Sequence, residues 1–249
     1  MNGFSPLLLL LITGINFTAA FLQACSGFGY AILAMSLMPL ALPLRMCSAI
    51  SAVTVVAIAI QMVTLLRMHI SFRIVAIPVA CCILSTNIGM YVLMHTPENT
   101  MRLILALLII MLTLFFAITQ KLRVKINSSL KNGILFGFLT GLSTGMFNIV
   151  GPFFMVYYFN TCKDNLGFKA SLEFSFLIAG LYSTALHIWY GNINAVVLPY
   201  AFGSAVAAVA AGFIGIRLFK KINNVMLRRI ILVALPIMAL LLTRDLWPF

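Results

Sequence analysis

The chain has 249 residues, of which 63% are hydrophobic and only 8% are charged, and its mean hydropathy is +1.13. This composition excludes an ordinary soluble domain, in which roughly a quarter of the residues are charged, and indicates an integral membrane protein. The formal net charge of +12 could suit nucleic acid, but Lys and Arg lie in short loops beside apolar runs, where membrane topology explains them better. We therefore expect a multi-pass protein of a lipid bilayer, with no nucleic-acid partner.

Several apolar runs have the length of about 20 residues that a membrane-spanning helix needs. Two further apolar regions, 6–44 and 132–159, are interrupted by Gly and Pro and do not read as single spans. The predicted spans are 46–66, 74–94, 102–119, 168–190, 193–216 and 230–247.

The basic loops predict how these spans are oriented. Loops 120–131 and 217–229 each contain several Lys and Arg and no acid, so both are predicted to be cytoplasmic. Counting crossings from either loop places nearly all the other basic loops on the same side. The predicted location is the inner membrane of a bacterial cell.

Residues 132–159 begin and end on the cytoplasmic side in this topology. Their 28 residues are too few for two full crossings, which need roughly 40. We therefore predict two half-spanning helices that meet near the midplane at a break over residues 148–152. Irregular backbone at that depth is tolerated only where it is buried in protein or lines a wet cavity.

Glycines recur every four residues ahead of this break, at Gly133, Gly137, Gly141 and Gly145. At this spacing they lie along one face of a helix, which lets a second helix approach closely. Helix packing alone accounts for the first three, while Gly145 and the break need a further explanation.

The chain reads as two repeats, 1–120 and 132–249, joined by a basic linker at 121–131. The first half has its own Gly-x-Gly break, and the segment GMYVLMHTPENTMR at 89–102 matches GIRLFKKINNVMLR at 215–228 in its Gly, its length and its Arg end. Matched loops fall on opposite sides of the membrane, so the repeats are inverted. The predicted fold class is an all-α polytopic membrane protein with two inverted-topology repeats, each with a broken or re-entrant helical hairpin and three transmembrane helices. This architecture is typical of secondary transporters, which bind substrate at the break.

The glycine-rich strings at the two breaks resemble those of the TauE/SafE family of sulfite exporter-like permeases. In that family the first half carries approximately G-F-G-G and the second approximately G-L-F-G-I-G-G-P-P. The corresponding strings here read GFGY at 27–30 and GMFNIVGPF at 145–153, with Tyr30, Asn148 and Val150 in place of glycine. The resemblance covers nearly the whole chain and implies export or uptake of small sulfur-containing or organic anions.

An anion at the breaks would be held by backbone N–H groups at the starts of the half-helices. The alternatives are helix packing for the glycines, an interhelical hydrogen bond for the asparagine, and bonds to neighbouring backbone for the serines. Gln23 is interpreted as a residue that joins helices. The predicted substrate-binding residues are Ser26, Gly27, Gly29, Thr144, Asn148, Gly151, Ser48 and Ser171.

Glu173 is an acid inside a predicted span, and an ionisable residue in such a place is a functional candidate. It lies on the same helix face as His187, about 21 Å away along the axis. Both are proton-coupling candidates, at opposite ends of a polar path. The alternative for Glu173 is an ion pair near the surface with Lys169, four residues earlier.

These features favour a secondary transporter, or permease, that moves a small anion such as sulfite, a sulfonate or a carboxylate by alternating access. The alternatives are an anion channel and a membrane scaffold without transport activity. The spans lack the clustered His, Asp, Glu or Cys of an enzyme site, so we expect neither an enzyme nor a metal or other cofactor. The coupling ion is left open between a proton and sodium, and a homodimer is one option for the assembly.

Overall fold

The computed structural model of the chain describes residues 5–26, 29–119 and 127–218. These residues fold almost entirely into α-helices and include no β-strand, which confirms the all-α prediction. Two short 3-10 turns, Met38–Leu40 and Arg67–His69, follow the second and third helices. The helices are α1 Pro6–Ser26, α2 Tyr30–Leu37, α3 Leu44–Leu66, α4 Phe72–His95, α5 Glu98–Thr119, α6 Leu130–Phe147, α7 Gly151–Thr161, α8 Asn165–Trp189 and α9 Leu198–Leu218.

Five helical segments in the described ranges are long and apolar enough to cross a membrane. Their outer faces carry exposed apolar side chains such as Leu7, Leu84 and Phe202, which suit contact with lipid. The chain is therefore a polytopic membrane protein, as predicted. The candidate spans are Pro6–Cys25, Leu44–His69, Phe72–His95, Asn165–Trp189 and Leu198–Gly215.

Four of the predicted spans coincide with α3, α4, α5 and α8. The predicted span 193–216 begins too early, because α9 starts at Leu198. The Asn194 side-chain oxygen accepts a hydrogen bond from the Val197 N–H at 3.2 Å, and this bond holds the residues just before α9 in a turn. The predicted span 230–247 lies outside the described residues.

Each half of the chain begins with a long helix that is followed, after a short break, by a shorter helix. α1 is followed by the shorter α2, and α6 is followed by the shorter α7. The two helices of the second break differ in length, since α6 has 18 residues and α7 has 11. α6 is about 27 Å long, is not among the candidate membrane spans, and its half-spanning position stays a prediction. Its glycine face packs along α4.

The glycine face of α6 is confirmed as a packing surface. A Cβ added at Gly133 would lie 3.3 Å from Ile77 Cγ2, and one added at Gly137, Gly141 or Gly145 would clash with the α4 backbone. Gly145 thus serves the same close packing as the other three. The expectation that Gly145 needs an explanation beyond helix packing is wrong.

The helix contacts follow a two-fold pattern between the halves of the chain. α1 packs along α9, α6 packs along α4, and α3 and α8 pack on each other. Exchanging α1 with α6, α4 with α9 and α3 with α8 maps this set of contacts onto itself. Two related halves produce such a pattern.

The glycines that match between the two halves hold equivalent places in this pattern. A Cβ added at Gly89 of α4 would clash with the Leu142 carbonyl of α6, and one added at Gly215 of α9 would lie 3.2 Å from the Phe21 carbonyl of α1. Leu142 and Phe21 each stand nine residues before the first residue of the following helix. The alignment of the halves therefore extends to individual backbone contacts.

Candidate functional site

The first break lies between α1 and α2. α1 ends at Ser26, and Gly29 precedes α2 with a φ of 107°, a left-handed conformation that glycine adopts without strain. The N–H groups of the first turn of α2 have no partner within the helix, and no side chain caps them. Among the predicted site residues, Gly27 lies outside the described residues, and only the backbone of Ser26 is described.

The second break lies between α6 and α7, where it was predicted. α6 ends at Phe147, and Asn148 adopts a left-handed conformation with a φ of 53°. Ser143 Oγ donates a hydrogen bond to the Ile149 carbonyl oxygen at 2.7 Å, which stabilises the unwound backbone. α7 then starts at Gly151, again without a side-chain cap.

Both breaks line the same cavity. The residue before each short helix, Gly29 or Val150, and the second residue of each, Ala31 or Pro152, face it. The enclosed space is small, and in this conformation it holds about the volume of one water molecule. The lining residues are Gln23, Gly29, Ala31, Ile32, Val55, Val150, Gly151, Pro152 and Phe176.

The positive potential at this cavity comes from the backbone, because its described lining includes no Lys, Arg or His. The first-turn N–H groups of α2 and α7 have no intrahelical acceptor and no side-chain cap, and these N-termini carry the positive ends of the helix dipoles. Pro152 has no N–H, so the donors at the start of α7 are those of Gly151 and Phe153. Two helix N-termini at one cavity are suited to binding a small anion.

Gln23 provides a polar side chain to the cavity, and sequence reasoning missed it. It lies in the last two turns of α1, is 4% exposed, and lines the cavity. Its Nε2 atom has no hydrogen-bond partner among the described residues. A glutamine in an apolar helix gives no sequence signal of the direction it faces, so the residue type alone favours a helix-joining role.

Thr144 and Asn148 stand near the end of α6 without lining the cavity. Thr144 Oγ1 donates to the Thr140 carbonyl oxygen at 2.7 Å and so bonds back to its own helix. Asn148 is fully buried, and its Nδ2 donates to Ser51 Oγ of α3 at 3.1 Å. The interhelical hydrogen bond that was the alternative role for Asn148 is therefore present, and its contact with substrate stays a prediction.

Ser48 and Ser171 lie away from the cavity. Ser48 Oγ is 3.2 Å from His187 Nε2, and Ser171 Oγ accepts a hydrogen bond from the Ser71 N–H at 3.2 Å. The structure thus does not bring these two serines together with the glycines of the breaks. Their contact with substrate also stays a prediction.

Glu173 is buried in α8 beside the cavity. Its side chain is 1% exposed, and Phe176, one turn later on the same helix, lines the cavity. Lys169 and Gln23 lie close enough to influence its carboxylate, but Glu173 Oε2 has no hydrogen-bond partner among the described residues. The carboxylate lies in the protein interior, and an ion pair with Lys169 stays the alternative role.

His187 is buried near the other end of α8. Asn192 Nδ2 lies 3.0 Å from His187 Nδ1. Because an amide nitrogen can only donate, Nε2 carries the proton and donates to Ser48 Oγ. Glu173 is about 21 Å away along the helix axis, so the two candidates for proton coupling do not meet.

A family model described as Sulfite exporter TauE/SafE matches residues 12–242, nearly the whole chain. No curated protein and no solved structure matches the chain. The matched range contains both breaks, all the residues that line the cavity, and both buried ionisable residues of α8.

Proposed function

Because the chain belongs to the TauE/SafE family, we propose that it is a secondary transporter that moves a small anion across the membrane by alternating access. The observation that carries this proposal is the cavity where the uncapped N-termini of α2 and α7 meet. These N-termini come from different halves of the chain. A relative movement of the halves would therefore open and close the cavity around its substrate.

The substrate that we propose is a small oxyanion, such as sulfite, a sulfonate or a carboxylate. The oxygen atoms of these anions accept hydrogen bonds, and the N–H groups at the starts of α2 and α7 donate them. Ile32, Val55 and Phe176 would pack against the apolar part of a sulfonate or carboxylate.

The two-fold pattern of helix contacts supports the proposal that the halves are inverted repeats. In transporters of that kind the substrate binds between the repeats, and equivalent residues of both halves line the cavity here. In this arrangement loops 120–131 and 217–229 both face the cytoplasm of a bacterial cell.

Glu173 is the residue that we propose to carry a coupling proton. A buried acid beside the substrate cavity can take up a proton from one side of the membrane and release it on the other as the cavity changes its access. His187 is the second candidate for the same role. Sodium is the alternative coupling ion.

Substrate counterflow in proteoliposomes tests this function. Vesicles with the full-length protein are loaded with unlabelled sulfite and diluted into a trace of labelled sulfite, with protein-free vesicles as the control. A transporter gives a transient accumulation of label, an anion channel gives equilibration without an overshoot, and a scaffold gives no flux. Methanesulfonate and acetate are tested in the same way. No overshoot with any of the three anions would contradict the proposal.

A further inference from the structure

We propose that Gln23 is the side chain with which the cavity recognises its anion, and that its amide group links the bound anion to Glu173. This inference rests on the proposed transport function and identifies a residue that selects the substrate. Gln23 lies on α1 and Glu173 on α8, and neither the glycine-rich strings nor the spacing of acids in the sequence points to this pair.

The first support is the environment of the Gln23 amide. Nε2 is buried at the cavity wall and has no hydrogen-bond partner among the described residues. A buried N–H group without a partner is destabilising, and such groups in native proteins usually find a protein, water or ligand acceptor. An oxyanion in the cavity provides that acceptor.

The second support is a difference between the two halves. In the two-fold pattern Thr144 of α6 takes the place of Gln23 of α1, since each stands seven residues before the first residue of the following helix. Thr144 Oγ1 bonds back to the Thr140 carbonyl oxygen and leaves no free donor for the cavity. Among the described residues that line the cavity, a polar side chain therefore comes from the first half alone.

The third support is the proximity of Gln23 to Glu173. Gln23 lies close enough to Glu173 to influence its carboxylate, but Gln23 Nε2 and Glu173 Oε2 each lack a partner at hydrogen-bond distance among the described residues. The amide nitrogen carries two N–H donors, so one can bind an anion oxygen while the other turns towards the carboxylate. Lys169, on the same helix, is a charged side chain that also acts on Glu173.

This arrangement predicts a preference for ligands that only accept hydrogen bonds. The backbone N–H groups of the two helix starts and the Gln23 Nε2 group all donate, so an oxyanion finds several donors here, whereas an ammonium ion finds only the Gln23 Oε1 acceptor among these groups. When an oxyanion fixes the Gln23 amide, the Glu173 carboxylate gains an ordered donor. Binding of the anion and the charge state of Glu173 are thereby linked.

Two matched variants test the recognition role in the full-length protein in detergent. Gln23→Leu removes the amide at the cavity, and Gln61→Leu removes an amide of α3 that donates to the Val209 carbonyl oxygen and does not line the cavity. Sulfite affinity is measured by titration calorimetry. The Kd of Gln23→Leu should rise about tenfold or more, since a hydrogen bond to a charged group is lost, while Gln61→Leu keeps the wild-type Kd.

A second measurement needs no ligand. Stabilities of Gln23→Leu, Glu173→Gln and the double variant form a cycle, with Gln61→Leu and Glu173→Gln as the control cycle. Effects that fail to add in the first cycle and add in the second support the link between Gln23 and Glu173. If Gln23→Leu does not fold, Gln23→Met preserves the volume and must show the same loss of sulfite affinity.

The outcomes separate this inference from the proposed function. If the wild type binds sulfite and Gln23→Leu or Gln23→Met binds it equally well, the recognition role is overturned and the transport proposal stands. Additive effects of Gln23→Leu and Glu173→Gln overturn the link between them. If the wild type neither binds nor exchanges sulfite, methanesulfonate or acetate, the proposed function fails, and the recognition of an anion by Gln23 fails with it.

Discussion

The side-chain amide of Asn148 donates a hydrogen bond to Ser51 Oγ at 3.1 Å and thereby fixes the end of α6 to α3. The same residue holds a left-handed backbone with a φ of 53°. Asparagine is one of the few residues other than glycine that adopt this conformation readily. It can therefore replace the glycine of the family string and add a contact that glycine cannot make.

Two substitutions at Asn148 separate the backbone requirement from the side-chain contact. Asn148→Gly keeps the left-handed conformation and loses the hydrogen bond, so the free energy of unfolding should fall by about 1 kcal/mol. Asn148→Val also forces a β-branched residue into that conformation, which should cost about 1–3 kcal/mol more. Thermal unfolding in detergent measures both. Equal losses from the two substitutions would contradict the backbone assignment.

Gly151 tests whether the cavity holds the substrate. A Cβ at this position would lie 3.5 Å from Phe176 Cζ, an ordinary contact, so Gly151→Ala should fold and retain transport. Gly151→Leu places three further carbon atoms towards the cavity and should abolish sulfite counterflow in a protein that still inserts. Gly14→Leu is the control, because no atom lies within 4 Å of a Cβ at Gly14. Normal counterflow by Gly151→Leu would move the site elsewhere.

Gly141 tests the packing of α6 on α4. A methyl group at this position would clash with Ser85 Oγ and the Cys82 carbonyl oxygen, so the two helices must separate. We expect Gly141→Ala to lower the free energy of unfolding by about 1–3 kcal/mol. Gly14→Ala, which meets no neighbour, should leave it nearly unchanged. A stable Gly141→Ala protein would show that the two helices are not held at this distance.

The break of α6 could be predicted because its cause is local. Proline limits the backbone and glycine frees it wherever they stand, and glycines four residues apart must share a helix face. The direction of the Gln23 side chain depends on how α1 rotates against its neighbours, which the residue type does not encode. The partner of Ser48 could not be predicted either, since His187 is 139 residues away in the chain. The late start of α9 follows from the side-chain cap by Asn194, which hydropathy does not detect.

Ser48 distinguishes a structural role from a substrate contact. Its hydroxyl accepts the hydrogen bond of the buried His187 Nε2–H, so Ser48→Ala leaves a buried donor without that partner. The free energy of unfolding should fall by about 1–3 kcal/mol. The half-saturation concentration for sulfite should stay unchanged, because Ser48 does not line the cavity. A raised half-saturation concentration in folded protein would instead establish the predicted substrate contact.

Glu173→Gln tests the proposed proton coupling, since glutamine preserves the shape of the side chain and cannot titrate. Uphill accumulation of sulfite driven by a pH gradient requires a group that takes up and releases a proton during each cycle. Exchange of sulfite at equal pH requires only that the loaded cavity change its access. We therefore expect Glu173→Gln to lose uphill accumulation and to retain exchange, with both measured in the same proteoliposomes and normalised to folded protein.

Lys169→Met provides the matched control for this variant. Lys169 acts on the Glu173 carboxylate electrostatically, so its replacement removes a charged neighbour and leaves the titrating group in place. If Glu173 only formed a structural ion pair with Lys169, both variants would lose expression or stability, and each folded molecule would still accumulate sulfite. If Glu173 carries the proton, Lys169→Met retains uphill accumulation and Glu173→Gln does not. Intact uphill accumulation by Glu173→Gln would rule out its role as proton carrier, and repeating the assay with a sodium gradient would then test the alternative coupling ion.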